Sequence, residues 1–149
     1  MPRAKAQTAA LLASPNDVEA QFYEALQQAD LDKLMAVWSE DDEIACVHPG
    51  GPRVTGYAAI RASFEAIFAN GAIPLRPQGV RRLQTLGCAV HHLVEHVSIT
   101  DAKGSRSAWV LATNVYIKTA LGWRMVAHHA SPGSEQAEPA PGELPSTLH

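Results

Sequence analysis

Apolar positions in the first half of the chain fall at helical spacing, and in the second half they alternate. Val18, Phe22, Ala25, Leu26 and Ala29 mark one face of a helix that runs to about Gln28. Ser14 can cap it, Pro15 suits the first helical position, and Asp17 favours the positive end of the dipole. Asp30 caps a second helix, with Leu31, Leu34, Met35 and Trp38 on one side. An acidic turn, Glu40 to Glu43, leads into a short apolar strand from Ile44 to Val47. The stretch from His48 to Arg53 contains Pro49, Gly50, Gly51 and Pro52, and reads as a rigid loop without ladder potential. A third helix spans Gly56 to Asn70, with Ile60, Phe64, Ile67 and Phe68 inward, and stops at Asn70-Gly71.

Strands follow. The pattern predicts one from about Gln78 to Leu86 and another from Ala89 to Ile99, with a turn at Asp101 to Gly104. A long hairpin then runs from Ser107 to Pro132 around Thr119-Ala120-Leu121-Gly122. A four-residue connection pairs Lys118 with Trp123 and Asn114 with Ala127. Side chains alternate, so one face carries Ala112, Asn114, Tyr116, Met125, Ala127 and His129. The other carries Leu111, Thr113, Val115, Ile117, Val126 and His128. An error of one residue exchanges these partners. Segregated helices and a mainly antiparallel sheet make an α+β domain. A strongly bent sheet wrapped around the first helices leaves a cone with a ligand cavity.

Composition narrows the choices. The chain has 149 residues, 46% hydrophobic and 18% charged, enough apolar material for one cored domain. Twelve Lys+Arg against fifteen Asp+Glu give a net charge of −3. No basic patch favours nucleic acid, and no run approaches the roughly 18 apolar residues of a membrane span. Cys46 and Cys88 lie in apolar strand-like contexts and read as free thiols in a reducing, cytoplasmic compartment. The apolar run Ala9 to Ala13 is too short for a secretory signal. Residues 1–13 are expected to form a flexible arm, 14–132 the domain, and 133–149 a flexible tail rich in Pro, Gly, Ser and Glu.

Three stretches carry a likeness. Tyr23 to Trp38 resembles the opening helix pair of the nuclear transport factor 2-like superfamily, which includes ketosteroid isomerase and the SnoaL-like cyclases. Pro52 to Arg61 resembles the start of that superfamily's third helix, and Gly122 to Pro132 its terminal strand in SnoaL-like members. The resemblance covers about Val18 to Pro132 and implies the cone-shaped, cystatin-like fold. It implies a small-molecule binder with cofactor-free proton-transfer chemistry of the isomerase, cyclase or dehydratase type. The terminal strand also resembles the association domain of calcium/calmodulin-dependent kinase, which implies a non-catalytic binding or dimerisation module instead.

On the ketosteroid isomerase pattern, His48, followed by Pro49, falls at the general base, and Asn114 at an oxyanion donor. The helix-one tyrosine falls on Phe22, with Tyr23 one step off. The alternatives are a strand-end histidine bonded to backbone and an asparagine in a structural bond. Phe22, Trp38, Tyr116, Met125 and His129 are the expected ligand-binding wall. Either His91 and Glu95, or His92 and His96, face the cavity. Histidine spacing does not favour a metal, since His92 and His96 stand about 13 Å apart along a strand. A cross-strand set of His48, His129 and one more histidine or Glu95 is the one metal alternative; otherwise no metal or cofactor is expected. The bare apolar sheet face with Thr113, Val115, Ile117, Val126 and His128 is the expected homodimer contact.

Overall fold

The computed structural model describes residues 12–134. Two helices come first: α1 (Pro15–Gln28) and the short α2 (Leu31–Met35). Strands β1 (Ala45–Val47) and β2 (Arg53–Thr55) precede α3 (Tyr57–Phe68). Four long strands complete the chain: β3 (Leu75–Gln84), β4 (Cys88–Asp101), β5 (Gly104–Thr119) and β6 (Gly122–Pro132). They form one six-stranded sheet in the order β2-β1-β6-β5-β4-β3. The β1–β6 pair is parallel and the others are antiparallel. Among the described residues, no helix is long and apolar enough to cross a membrane.

The helix starts follow their caps. The Ser14 side chain accepts from the Asp17 amide, and that of Asp30 from the Lys33 amide. α1 lays Val18, Phe22, Tyr23, Ala25 and Leu26 on the sheet, and α3 contributes Ile60 and Phe64. Trp38 lies beyond the end of α2, in an isolated parallel bridge to Met125.

Three local expectations are corrected. Arg53, expected to end a loop, opens a strand to Thr55 that pairs with β1, because Gly50 turns back at φ +75° and brings Arg53 opposite Val47. Leu12, expected in a loose arm, is buried, and its carbonyl accepts from the Trp123 amide at 2.9 Å. Residues 1–11 of that arm and almost all of the tail lie outside the described residues.

The third correction decides the site. Lys118 does pair with Trp123, but a bulge at Val126 shifts the register, so Asn114 faces His128 instead of Ala127. The bulge sits where the other neighbour of β6 changes. Met125 bonds to Val37 and Ser39 through both its amide and its carbonyl, and from Ala127 onward the neighbour is β1. One extra residue on one strand reverses every later side chain. His128 is therefore buried and His129 exposed. The outer face carries Thr113, Val115, Ile117 and His129, while Val126 packs against the core.

Candidate active site

One lateral row of the sheet gathers the polar side chains. By strand pairing it reads Arg82, His91, Asn114, His128, Cys46, Val54 across all six strands. His91, Asn114, His128 and Cys46 in this row are buried, as is Glu95 four residues along β4. The face of α1 that carries Glu19, Phe22 and Tyr23 lies over them.

A directed chain of hydrogen bonds joins four of these groups. The Tyr23 hydroxyl donates to Oε2 of Glu95 at 2.7 Å. It accepts from Nδ2 of Asn114 at 2.9 Å. The Asn114 carbonyl oxygen meets Nδ1 of His128 at 2.5 Å, and an amide oxygen can only accept. His128 thus carries its proton on Nδ1, and its Nε2 lone pair faces Glu95 Oε2 across 3.9 Å. The chain closes into a ring with one open edge, between a base and a carboxyl.

Electrostatics follow from the dryness of this ring. Burial pushes the Glu95 carboxyl up to about 7, with the Tyr23 bond pulling the other way. Burial pushes His128 down to about 3, and the His48 and His129 imidazoles add to it. Burial, then the Glu95 charge, holds the Tyr23 hydroxyl well above the usual phenol range. At neutral pH the ring holds a neutral imidazole, a neutral phenol and a carboxyl that is poised to gain or lose a proton.

Two further arrangements flank the ring. Nδ1 of His91 lies 2.9 Å from Glu19, whose other oxygen is 3.6 Å from Arg82 at the surface. The Tyr116 ring packs edge-on against His91, and its hydroxyl is buried with no partner among the described residues. On the other side, Nε2 of His48 lies 3.1 Å from the Ser63 hydroxyl and 3.8 Å from Cys46 Sγ. The His48 ring meets the edge of Phe64, and burial lowers its pKa, so it stays neutral at pH 7. Burial also pushes the Cys46 thiol up to about 12. Both cysteines are free.

The expected site residues divide. Phe22, Trp38, Tyr116 and Met125 are buried on the inner side, together with Asn114. His48 is half-buried beyond β1. His129 is on the opposite face, exposed, and does not join them. His91 and Glu95 face inward, and His92 does not. Tyr23, one step from the expected Phe22, joins the site as well, since both side chains of this pair reach the core. An aromatic pair on a helix can turn both rings inward when the sheet curves around it. Among the described residues, no three metal-ligating side chains converge.

Comparison with known proteins places this geometry in a family. The model of the SnoaL-like domain matches residues 16–135. The chain belongs to the SnoaL-like domain family. Its fold is the cystatin-like, nuclear transport factor 2-like cone. This SnoaL-like domain is similar to a structure from Thiobacillus denitrificans, provisionally named a calcium/calmodulin-dependent protein kinase type II association domain. They share 38% identity, with 83% of this chain and 98% of that one covered, and a TM-score of 0.76. A protein from Streptomyces avermitilis, provisionally named a dehydratase of the NTF2-like family, shares 27% identity over 78% of this chain and 92% of its own, with TM-score 0.69. An NTF2-like protein with a cystatin-like fold from Novosphingobium aromaticivorans is 19% identical over 81% and 80%, with TM-score 0.66. No curated protein matches the SnoaL-like chain.

Proposed function

We propose that this SnoaL-like domain binds a compact carbonyl compound inside the cone and moves a proton on it without a cofactor. The observation that carries this reading is the approach of Nε2 of His128 to Oε2 of Glu95, 3.9 Å apart with no hydrogen bond between them. A hydroxyl or enol oxygen set there has an acceptor on one side and a poised carboxyl on the other. Glu95 is the acid–base group, and the Tyr23 hydroxyl beside it can turn to donate to a developing oxyanion. Asn114 spends its carboxamide on Tyr23 and His128, so its role is to hold both in orientation. His48, half-buried beside the Ser63 hydroxyl, is the base nearest the outside and exchanges protons with solvent.

The class of reaction is isomerisation, cyclisation or dehydration, each of which begins with proton transfer next to a carbonyl. A screen of cyclic ketones and enones by thermal shift tests the binding step. Hits are expected to move the carboxyl 13C signal of Glu95. Hits that leave Glu95 unmoved and bind elsewhere contradict the reading.

A second reading rests on the outer sheet face, where Leu111 is 39% exposed beside the half-buried Val115 and Ile117. With the association-domain relative at 38% identity, this supports a homodimer packed face to face. A standard interface covers roughly 800 Å² per partner. Sedimentation is expected to give a dimer for the wild type and a monomer for Val115→Arg. A wild-type monomer at micromolar concentration rules this reading out.

A further inference from the structure

A cleft that shares no lining residue with the polar ring lies between α2, α3 and the β5–β6 turn. Its volume is about 510 Å³, within the usual span for small-ligand sites of roughly 300–1,000 Å³. Its lining mixes charged groups with an apolar part: Met35, Trp38 and Tyr57 from the helix side, Ala120 and Leu121 from the turn. Arg124 also lines it.

Arg124 is an unusual residue to find there. It is only 6% exposed, yet no described carboxylate comes within ion-pair distance of it. Its one described hydrogen bond runs from Nη1 to the Trp123 carbonyl at 2.8 Å. A guanidinium has five N–H donors, and a buried cation without a hydrogen-bonded anion is costly. A second unmet donor belongs to another residue of the lining, Trp38. The Trp38 indole N–H is buried with no acceptor among the described residues. The guanidinium calls for an acceptor oxygen carrying negative charge, and the indole N–H for any acceptor oxygen.

The other charged linings limit what that anion is. Asp32 and Arg61 pair at 3.0 Å and largely cancel. Glu40 is exposed, and its field raises the Arg124 pKa that burial lowers. The lining acids Asp32 and Glu40 balance Arg61 and Arg124. A dianion such as phosphate would meet Glu40 with only one buried cation to offset it. A single carboxylate would not, and the aromatic and aliphatic walls fit an apolar body.

We propose that this cleft is a binding site for a monocarboxylate with an aromatic or branched aliphatic body, its carboxylate on Arg124. The site is separate from the Tyr23–Glu95 ring and stands or falls independently of it.

The test uses the full chain and phenylacetate, with phenylacetamide and inorganic phosphate as comparisons. Binding is read from the Trp38 indole N–H resonance. Phenylacetate is expected to shift that signal, and Arg124→Gln to weaken binding about 10- to 100-fold, as loss of a hydrogen bond to a charged group does. Leu121, 73% exposed at the turn, offers variants that do not disturb the core. Leu121→Glu is expected to weaken phenylacetate binding and Leu121→Lys to retain or strengthen it, which keeps the test decisive if Arg124→Gln fails to fold. Glu95→Gln is expected to leave binding unchanged. Equal binding of phenylacetamide or phosphate overturns the proposal. So does an unmoved Trp38 signal at millimolar phenylacetate, or indifference to the charge at position 121.

Discussion

The hydroxyl of Tyr23 and the carboxyl of Glu95 stand 72 positions apart in the chain and 2.7 Å apart in the core. α1 supplies the donor and the middle of β4 the acceptor. Neither group has water to replace the other, so each depends on this bond.

Tyr23→Phe therefore does more than remove one oxygen. It leaves the Asn114 amide and Glu95 without their partner in a dry interior, at a cost of about 1–3 kcal/mol. The Tyr23 bond is also what lowers the Glu95 pKa against burial. The variant is expected to unfold at lower denaturant concentration, and its Glu95 carboxyl to titrate above 7 by 13C NMR. Tyr57→Phe, which removes a half-buried bond to the Met35 carbonyl, is the milder control.

Stability should carry a pH signature with two opposing parts. Glu95 rises from 4.5 to about 7 on folding. The folded state holds that proton more tightly, so this contribution is present below pH 4.5 and fades as pH rises through 7. His128 falls from 6.5 to about 3. Its contribution is present above 6.5 and is lost as pH falls through 3. Between pH 4.5 and 6.5 the two oppose each other. Glu95→Gln removes the first alone, so its stability relative to wild type should climb by about 3 kcal/mol from pH 4.5 to 7. Urea melts across that range measure it, and a difference independent of pH contradicts it.

Much of the scaffold was legible, for reasons that also explain what was not. Ser14 and Asp30 act within one turn of their own position, so both helix starts were readable. The Lys118–Trp123 pairing follows from the local turn chemistry. The bulge at Val126 does not, because it answers to Val37, Ser39 and β1, which are distant in the chain. That one residue exchanged His129 for His128 in the site. Asn114 was found because a carboxamide in an apolar strand needs partners. Tyr23 and Glu95 were not paired, because only the curvature of the sheet over α1 brings them together.

Gly122 joins the start of β6 to the segment before α1. Its φ is +108°, and a Cβ there would lie 2.6 Å from the Leu12 carbonyl oxygen. That carbonyl is backbone and is held by the Trp123 amide. Gly122→Ala combines a left-handed backbone with a clash, so a loss of about 1–3 kcal/mol is expected, seen as a lower Tm. Gly71→Ala, at φ +101° but in open space, should lose less. Equal losses would mean that the approach of Leu12 contributes nothing.

The most direct test of the proposed chemistry is deuterium exchange next to the carbonyl of a cyclic ketone that binds, followed by 1H NMR in D2O. Exchange reads proton transfer itself and needs no knowledge of the final product. Wild type is expected to speed it, and Glu95→Gln to lose about 10²- to 10⁴-fold, the usual worth of a general base. His48→Ala should retain most of the rate, since His48 serves exchange with solvent. Equal exchange by wild type and Glu95→Gln would contradict the account.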